Sequence, residues 1–470
     1  MSQPPPGSAS TSASTSTSPA NLSDVFKAYD VRGLVDEQID EELARAVGAA
    51  FVEVTGAAAT GVVVGHDMRP SSPGLARAFA DGAAAAGADV TMVGLASTDQ
   101  LYFASGHLEL PGAMFTASHN PAQYNGIKMC RALAVPLGTD TGLYDIRDLV
   151  AKGTAEGAAP TGGRGSIRET DLLEAYAAHL RGLVPVTGRR LKVVVDAGNG
   201  MAGHTAPAVL DPMHLEVVPM YYELDGSFPN HEANPIDAAN LVDLQAKVRA
   251  TGADIGLAFD GDADRCFLVD ERGEAVNPSV LTALIAAREL AREPGSIVIH
   301  NLITSRSVPQ IVTELGGTPV RTRVGHSYIK ATMAETDAIF GGEHSGHFYF
   351  RDFWRADSGM LAALHVLSAL AEDDRPLSEL LGGYTRFHTS PEINSTVTDQ
   401  QAVVAAVEEA YADHDGVEID HLDGLTVSHA DWWFNVRASN TEPLLRLNAE
   451  AGDAESLDRL QATVLALIRG

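Results

Sequence analysis

Short apolar runs that end in turn residues alternate with longer stretches of helical spacing along most of this chain. The run TGVVVGHD at residues 60–67 is rich in β-branched side chains, and the runs DVTMVG at 89–94 and GAMFTAS at 112–118 follow the same pattern. A helical stretch at 72–86 separates the first two runs. Strands separated by helices of about 10–15 residues are typical of a parallel sheet covered by helices. The pattern therefore predicts an α/β domain in this part of the chain.

The same alternation begins again twice further along. A helical stretch at 171–180 precedes the runs LKVVVDAG at 191–198 and ADIGLAFD at 253–260. A third set of apolar runs comprises SIVIHNL at 296–302, TPVRTRVG at 318–325 and DAIFGGEHSGH at 337–347. We therefore expect three tandem α/β domains with parallel or mixed sheets.

The C-terminal part follows a different pattern. Runs at 425–440 and 443–451 are typical of strands joined by a polar loop, and an amphipathic helix follows them. We expect a smaller α+β domain here, which closes over the other three around a central cleft. The expected domains are 22–165, 166–274, 275–381 and 382–470, after a disordered Ser/Thr/Pro tail at 1–21.

Composition narrows the class of protein. The 470 residues include 62 acidic and 33 basic side chains, which gives a formal net charge of −29. This excess argues against binding to nucleic acid or to an anionic membrane, because both need a basic face. The sequence has no uncharged apolar run of the roughly 18 residues that a membrane helix needs. Cys130 and Cys266 are too few for a disulfide framework. We expect a cytoplasmic enzyme or binding protein.

The segment AFDGDADRCFLVD carries three carboxylates, Asp260, Asp262 and Asp264, at alternate positions after an apolar strand. The carboxyl end of a strand is where α/β sheets bind ligands. Carboxylates this close repel one another unless a cation lies among them, and oxygen ligands favour Mg²⁺ or Ca²⁺ over zinc. An EF-hand is excluded, because Arg265 stands where that loop requires glycine. An aspartyl phosphatase with Asp260 as its nucleophile and a solvated acidic turn remain as alternatives.

The segment FTASHNPAQYNGIKMC places Ser118 just after an apolar strand, in a loop of Asn, Pro and Gly residues. A hydrolase triad does not fit, since the loop has no G-x-S-x-G elbow and His119 is a sequence neighbour of Ser118. Lys128 follows nearby. If Ser118 were phosphorylated, its phosphate oxygens would supply the remaining ligand for a metal ion held by the three aspartates.

Two further loops are suited to a phosphorylated sugar. The loop GEHSGH offers Glu343, Ser345 and His347 at alternate positions at a strand end. This spacing suits the binding of sugar hydroxyls. The loop RASNTEP contains Arg437, Ser439, Asn440 and Thr441. A guanidinium group with hydroxyls and turn amides makes a natural phosphate site.

Taken together, these four motifs resemble those of the α-D-phosphohexomutase superfamily, in particular its bacterial phosphomannomutase/phosphoglucomutase type. The resemblance runs from the segment FKAYDVRG, at about Phe26, to the C-terminus. It implies that Ser118 is phosphorylated, that the DGDADR aspartates hold Mg²⁺ with the phosphoserine, and that GEHSGH is the sugar-specificity loop. It also implies that RASNTEP binds phosphate.

The resemblance extends to single positions as well. Five further residues match family active-site positions: Tyr29, Arg32, Lys128, Arg265 and His326. By the same resemblance, His347 is a candidate general acid or base. One departure is the segment HNLITSRSV, where some relatives carry a substrate-contacting lysine and this chain has Ile303 among polar residues.

The resemblance implies reversible phosphoryl transfer between mannose 1-phosphate and mannose 6-phosphate, and also between the glucose phosphates. The reaction would pass through a phosphoserine enzyme and a hexose 1,6-bisphosphate, which also serves as activator. The main alternative is a phosphoglucosamine mutase, and a metal-dependent sugar-phosphate phosphatase or an inactive sugar-phosphate sensor would be further ones. We expect small-molecule hexose phosphates as partners, and a monomer or homodimer.

Overall fold

The computed structural model describes residues 22–153, 163–438 and 444–470 of the chain. The expected tail at 1–21 lies outside these ranges. Within them, the chain forms four units, each built around its own sheet. The first three are α/β units with mixed sheets, and the fourth is a smaller antiparallel unit, so the expected fold class is confirmed.

The first unit carries the N-terminal helices and a broad sheet. Its strands are Asp30–Leu34 (β1), Val62–His66 (β2), Val90–Leu95 (β3), Gly112–Phe115 (β4), Tyr124–Arg131 (β5), Val135–Pro136 (β6) and Ile167–Glu169 (β7). Its helices are Leu22–Val25 (α1), Glu41–Thr55 (α2), Ser72–Ala85 (α3), Thr98–Leu108 (α4) and Leu143–Lys152 (α5). The strand order is β1-β5-β4-β2-β3-β7, and β6 pairs with β5. Because β7 pairs with β3, this sheet extends beyond the domain boundary that the sequence placed at residue 165.

The second and third units repeat the central part of this arrangement. The second contains Leu173–Leu183 (α6), Leu191–Asp196 (β8), Ala202–Leu210 (α7), Leu215–Met220 (β9), Val242–Thr251 (α8), Ile255–Phe259 (β10), Cys266–Asp270 (β11) and Ala275–Val276 (β12). The third contains Pro278–Arg292 (α9), Ile297–Asn301 (β13), Ser307–Glu314 (α10), Thr318–Thr322 (β14), His326–Thr336 (α11), Phe340–Gly342 (β15), Phe348–Phe350 (β16), Ala356–Asp357 (β17), Gly359–Ala371 (α12) and Leu377–Gly382 (α13). Their strand orders are β12-β11-β10-β8-β9 and β14-β13-β15-β16-β17.

The fourth unit contains His388–Thr389 (β18), Ile393–Thr396 (β19), Gln400–Ala412 (α14), Glu418–Asp420 (β20), Leu425–Ser428 (β21), Trp432–Ala438 (β22), Leu444–Ala451 (β23) and Ala454–Arg469 (α15). Within the described residues, all the strand pairs of its sheet are antiparallel. The sequence prediction of one strand over 425–440 is wrong, because the chain turns between β21 and β22 and the two strands pair with each other. The triplet HAD separates the apolar run LTVS from the aromatic run WWF, and the prediction of one strand did not allow for a turn at this triplet.

A single topological feature positions the site. In each α/β unit, three successive parallel strands lie side by side with the first of them in the middle, and the third pairs on its other side with an antiparallel strand. The reversing pairs are β4 with β5, β10 with β11 and β15 with β16. Each of the motifs around Ser118, Asp260 and Glu343 is therefore the turn of the equivalent hairpin in its own unit.

The packing separates the fourth unit from the other three. One buried apolar cluster continues through the first three units, with Phe103, Phe259 and Phe340 among its members. The fourth unit has its own core around Phe434. The first three units are thus packed together as one body.

The described helices include none that is long and apolar enough to cross a membrane.

Candidate active site

Three hairpin turns meet between the first three units. We name them the serine loop (residues 116–123), the aspartate loop (residues 260–265) and the glutamate loop (residues 343–347). The serine and aspartate loops are joined by the Ser118 hydroxyl, which donates to Asp260 Oδ2 at 2.8 Å. The aspartate and glutamate loops are joined by an isolated β-bridge between Arg265 and His347. The geometry thus brings together residues from three separate motifs.

Ser118 is held in an unusual backbone conformation. Its φ is 50°, in the left-handed region that serine rarely adopts, and its amide donates to Thr116 Oγ1 at 2.9 Å. Gly261 of the aspartate loop lies so close that a Cβ there would come within 2.5 Å of the Ser118 carbonyl oxygen. The two loops can approach this closely because residue 261 has no side chain. The hydroxyl of Ser118 is buried with them.

The aspartate loop gathers the three predicted carboxylates into one cluster. Asp260, Asp262 and Asp264 are all buried, and each offers an oxygen within 4.8 Å of the others. Burial, and then the charges of its two neighbours, hold the pKa of Asp260 well above its usual range. Neither Asp262 Oδ1 nor Asp264 Oδ1 receives a hydrogen bond from a residue in the described ranges, although both atoms are buried. Buried, unpartnered carboxylate oxygens fit a divalent cation with oxygen ligands.

Lys128 neutralises part of this charge from the first unit. Its Nζ donates to Asp262 Oδ2 at 2.7 Å and to Asp264 Oδ2 at 2.6 Å. Burial opposes the charged form of Lys128, but the two carboxylates together raise its pKa above the ordinary value. Thr98 adds a hydrogen bond of 2.5 Å from its hydroxyl to Asp262 Oδ2. Both partners of Asp262 therefore come from the first unit.

Two arginines flank the Ser118 hydroxyl. Arg265 Nε lies 3.4 Å from Asp260 Oδ2, and its Nη2 lies 2.7 Å from His119 Nδ1. The Arg265 charge, followed by burial, holds the pKa of His119 well below its usual range. Arg32 pairs with Asp30 at 2.5 Å, and its Nη1 donates to Asn120 Oδ1 in the serine loop at 2.6 Å. The guanidinium group of Arg265 supplies positive charge beside the aspartate loop, and that of Arg32 supplies it beside the serine loop.

The glutamate loop is fixed from within the third unit. Glu343 Oε1 accepts hydrogen bonds from the Gly325 amide at 3.1 Å and from Asn301 Nδ2 at 3.2 Å. Its Oε2 accepts from the Tyr349 hydroxyl at 2.6 Å. Ser345 Oγ lies 3.0 Å from a ring nitrogen of His347. Partners from one unit therefore orient the side chain that the sequence assigned to sugar binding.

His347 lies between acidic groups of two units. Its Nε2 is 3.6 Å from Asp264 Oδ1 and 3.9 Å from Asp357 Oδ2. Burial, followed by the Arg265 charge, lowers the pKa of His347 below its ordinary value. The neutral form of the imidazole is thereby favoured, and its Nε2 accepts a hydrogen bond from Arg265 Nε at 3.3 Å.

Tyr29 and His326 meet across the first and third units. Their rings pack edge to face with centroids 4.7 Å apart, and Tyr328 contacts Tyr29 with a centroid distance of 6.4 Å. Burial, and then the nearby Lys330 charge, lower the pKa of His326 to about 3. His326 is thus a neutral hydrogen-bonding group, and these rings form an aromatic patch beside the glutamate loop.

The fourth unit reaches the site through Arg437. Its Nη2 donates to Glu392 Oε2 at 3.2 Å. Burial, and then the Arg437 charge, lower the pKa of His344 in the glutamate loop to about 4. The predicted phosphate-binding residues Ser439, Asn440 and Thr441 lie outside the described residues. Ile303, where a lysine was sought, packs with Leu302 against Trp433 of the fourth unit.

Sequence reasoning missed several residues around the site. Thr98 is one, and Lys330 is another, because its Nζ lies 2.6 Å from Asp357 Oδ1 and 4.2 Å from the centre of the Tyr102 ring. A signal for Lys330 was present, since it follows His326 by four residues and both lie on one helix face. Asp357 has no comparable signal, because it belongs to a two-residue strand far from the motifs.

Comparison with known proteins agrees with this geometry. The chain matches models described as phosphoglucomutase/phosphomannomutase alpha/beta/alpha domains I, II and III at residues 23–156, 174–273 and 277–387, and the C-terminal domain at 392–467. A phosphomannomutase from Salmonella typhimurium is 40% identical over 452 residues, which cover 94% of this chain and 98% of that protein. The chain belongs to the phosphoglucomutase/phosphomannomutase family.

Other members of the family give the same result. A protein named phosphohexose mutases from Xanthomonas campestris is 41% identical, with 95% of this chain and 99% of that protein covered. The phosphomannomutase/phosphoglucomutase of Pseudomonas aeruginosa is 36% identical, with 95% and 96% covered. A phosphoglucomutase/phosphomannomutase family protein from Burkholderia thailandensis has a solved structure with a TM-score of 0.86 and 35% identity, covering 95% of this chain and 97% of that one. The expected superfamily and the expected enzyme class, a phosphohexomutase, are confirmed.

Proposed function

We propose that this phosphohexomutase transfers a phosphoryl group reversibly between O1 and O6 of mannose phosphate, and of glucose phosphate, with Ser118 as the carrier. The observation that carries the proposal is the position of the buried Ser118 hydroxyl. It lies 2.8 Å from Asp260 Oδ2, and Asp260 shares its loop with two further carboxylates. Lys128 and Arg265 lie against the same loop. A hydroxyl surrounded by carboxylates and cations suits a phosphoserine.

The chemistry requires two phosphoryl transfers, one from Ser118 to the sugar and one from the sugar back to Ser118. Phospho-Ser118 gives its phosphoryl group to a free sugar hydroxyl, so the bond from phosphorus to Ser118 Oγ breaks and a bond to the sugar oxygen forms. The hydroxyl proton passes to a base, for which neutral His347 is our candidate. Ser118 Oγ takes up a proton as it leaves. The resulting hexose 1,6-bisphosphate turns round in the cleft, and Ser118 Oγ attacks the other phosphate. The bond from that phosphorus to its sugar oxygen breaks, and the sugar oxygen takes up the proton that Ser118 gives to the base. Added hexose 1,6-bisphosphate therefore acts as an activator.

The aspartate loop supplies the cofactor site. Its three carboxylates and phospho-Ser118 would hold one Mg²⁺, which supplies positive charge beside the transferred group when bound. Lys128 and Arg265 neutralise the remaining charge on the phosphoryl oxygens. Their positions are set by hydrogen bonds and ion pairs to the same carboxylates, so they are in place before substrate arrives.

The glutamate loop would hold the sugar. Glu343 and Ser345 would accept and donate hydrogen bonds to ring hydroxyls, and Tyr29, Arg32 and His326 would line the opposite wall. Arg437, with Ser439, Asn440 and Thr441 of the motif RASNTEP, would bind the phosphate remote from Ser118. Mannose and glucose phosphates differ only at C2, so contacts to other hydroxyls would admit both. The naming of relatives after both mannose and glucose supports this dual specificity.

Three earlier expectations stay predictions. Phosphoglucosamine as the preferred substrate is the main alternative, a cytoplasmic location is expected, and the chain is expected to be a monomer or a homodimer.

A phosphatase with Asp260 as its nucleophile is disfavoured, because Asp260 Oδ2 already accepts a hydrogen bond from the Ser118 hydroxyl and lies 3.4 Å from Arg265 Nε.

The first experiment is a coupled assay of mannose 6-phosphate formed from mannose 1-phosphate with Mg²⁺, with and without glucose 1,6-bisphosphate. We expect turnover that the bisphosphate stimulates, and we expect phosphate on Ser118 by peptide mass spectrometry. Replacement Ser118→Ala should lower turnover by roughly 10⁴-fold or more while sugar-phosphate binding persists. Ser105→Ala is the control, because Ser105 is also buried in the first unit but donates to the Leu110 carbonyl oxygen.

The other outcomes separate the alternatives. Near-normal rates in Ser118→Ala would exclude the phosphoserine cycle. Steady release of inorganic phosphate would indicate the phosphatase. Higher kcat/KM for glucosamine phosphate than for mannose or glucose phosphate would indicate the phosphoglucosamine mutase.

A further inference from the structure

Arg69 lies directly beneath the serine loop and is fully buried. Its Nη2 donates to the carbonyl oxygens of Ser118 at 2.9 Å and Asn120 at 2.6 Å. Its Nη1 donates to the carbonyl oxygens of Pro121 at 2.9 Å and Tyr124 at 3.0 Å. One side chain therefore binds four backbone carbonyls along the turn from β4 to β5.

This arrangement requires arginine in particular. A guanidinium group carries five N–H donors in a rigid plane, so it can hold several acceptors at fixed relative positions. A lysine ammonium carries three donors on a single nitrogen and cannot span carbonyls spread along a loop. The four bonds fix the path of a turn whose reactive residue has a φ of 50°. Such a conformation persists only where the surroundings enforce it.

Arg69 is itself held from two units. Its Nε donates to Asp67 Oδ2 at 3.2 Å, and the Ser72 hydroxyl donates to Asp67 Oδ1 at 2.6 Å, so the first unit fixes the pair. From the second unit, the Phe228 ring covers the guanidinium with its centre 5.2 Å from Cζ. A Cβ at Gly226 would lie 2.7 Å from Arg69 Cα, which shows how closely the second unit packs here.

We propose that Arg69 is a positioning residue for phosphoryl transfer: through the four loop carbonyls it holds the Ser118 backbone so that Oγ faces Asp260 and the cations around it. This inference rests on the proposed function, since it assigns Arg69 a role only if Ser118 carries the phosphoryl group. Arg69 does not contact Ser118 Oγ in the structure, and its side chain is sealed from the cleft by the loop that it binds. Its effect on the reaction therefore passes through the backbone.

The test is Arg69→Lys, which keeps the charge but loses the fork of donors. We expect kcat per phosphorylated site to fall by about 100-fold, since a displacement of about 1 Å at a reacting group costs this much. The KM for mannose 1-phosphate should stay within about three-fold, because the substrate contacts lie in other loops. In Arg69→Ala, millimolar methylguanidinium should restore part of the lost kcat. Restoration by the missing group is not expected of a general loss of stability.

Arg181→Lys is the matched control. Arg181 also donates to a carbonyl oxygen and to a carboxylate, those of Ala208 and Glu174, but on a helix remote from the serine loop. It should lower the melting temperature at most and leave kcat unchanged. Phe228→Leu provides a second test if Arg69→Lys does not fold, because Phe228 is partly exposed and its ring covers the guanidinium. We expect a several-fold lower kcat with KM unchanged.

The outcomes separate this inference from the proposed function. If the wild-type protein incorporates no phosphate on Ser118, the proposed function fails whatever the variants do. If the wild type is phosphorylated and folded Arg69→Lys retains kcat within about three-fold, the inference on Arg69 is wrong. The same conclusion follows if Phe228→Leu has full kcat where Arg69→Lys cannot be obtained.

Discussion

The aspartate loop and the glutamate loop are turns of equivalent hairpins in two repeated units, but they obtain their partners from different places. Asp262 is bound by Thr98 and Lys128, both from the first unit. Glu343 is bound by Asn301, Gly325 and Tyr349, all from its own unit. The Asp262 carboxylate thus takes its side-chain hydrogen bonds from a neighbouring unit, and the Glu343 carboxylate takes its hydrogen bonds from its own unit.

This difference has a physical basis. Three clustered carboxylates cannot be buried without compensating charge, so the aspartate loop needs Lys128 from the first unit besides its own Arg265. A single carboxylate is satisfied by one backbone amide, one amide side chain and one hydroxyl, which its own unit can offer. We therefore expect the proposed transfer role of the aspartate loop to depend on the first unit more strongly than the proposed sugar binding by Glu343.

The largest expected effect is that of Asp262→Asn. The change removes the charge that Lys128 neutralises and one ligand of the proposed metal ion, so kcat should fall by about 10³-fold. The rate should also need more Mg²⁺ to saturate. The measurement is turnover across a range of Mg²⁺ concentrations, with direct Mg²⁺ titration calorimetry.

Asp254→Asn is the control for this change, because Asp254 immediately precedes the same strand, β10, at its opposite end. It accepts hydrogen bonds from Arg189 and from the Lys192 amide, far from the serine loop. Its turnover should lie within about two-fold of wild type. Full activity of Asp262→Asn with unchanged Mg²⁺ dependence would contradict the proposed role of the aspartate loop in phosphoryl transfer.

A smaller effect is expected from Glu343→Gln. A hydrogen bond to a charged group contributes roughly 1.5–3 kcal/mol, so KM for the hexose phosphates should rise by about 10- to 100-fold. The kcat should change much less, because Ser118, the three aspartates and Lys128 belong to other parts of the site. Steady-state kinetics with mannose and glucose 1-phosphates would measure both parameters.

Tyr349→Phe sharpens the result. It removes only the donor to Glu343 Oε2 and leaves the bonds to Oε1, so its effect on KM should be smaller than that of Glu343→Gln. If Glu343→Gln instead lowers kcat with KM unchanged, Glu343 itself takes part in the transfer step, and its proposed role in sugar binding is wrong.

Sequence reasoning was most successful where a motif follows an apolar strand. Ser118, Asp260 and Glu343 each come after a short apolar run, and strand ends in α/β sheets gather ligands, so their convergence in one cleft was predictable. The residue types also predicted the chemistry, because alternating carboxylates require a cation. The assigned roles of these residues stay predictions, as do the roles of the other motif residues.

The contacts that support the motifs were not predictable in the same way. Thr98 and Asp262 are 164 positions apart, and Arg69 reaches a loop about fifty residues away. Neither belongs to a pattern that links it to its partner, because register between units depends on how whole sheets pack. Arg69 in the segment HDMRPSS reads as a turn residue, and only the fold brings its guanidinium beneath Ser118.

The smallest expected effect concerns the contact that fixes the units together beside Thr98. Asp99 is fully buried, and its Oδ2 accepts hydrogen bonds from Tyr176 at 2.7 Å and from Ser358 at 2.6 Å, residues of the second and third units. Burial raises the pKa of Asp99 to about 6. Between about pH 4 and pH 6 the folded protein keeps a proton that the unfolded chain has released, so stability falls as pH rises through this window. The loss at Asp99 amounts to about 3 kcal/mol.

Asp99→Asn cannot titrate, so its melting temperature relative to wild type should rise by a few degrees between pH 4.5 and pH 7.5. Asp148→Asn, at an aspartate whose side chain is 54% exposed, should show no such change. Since the glutamate loop takes its partners from its own unit, KM for mannose 1-phosphate should stay unchanged in Asp99→Asn, and any loss should fall on kcat through Thr98 and Asp262. A rise in KM instead would mean that the glutamate loop also depends on how the first unit is docked.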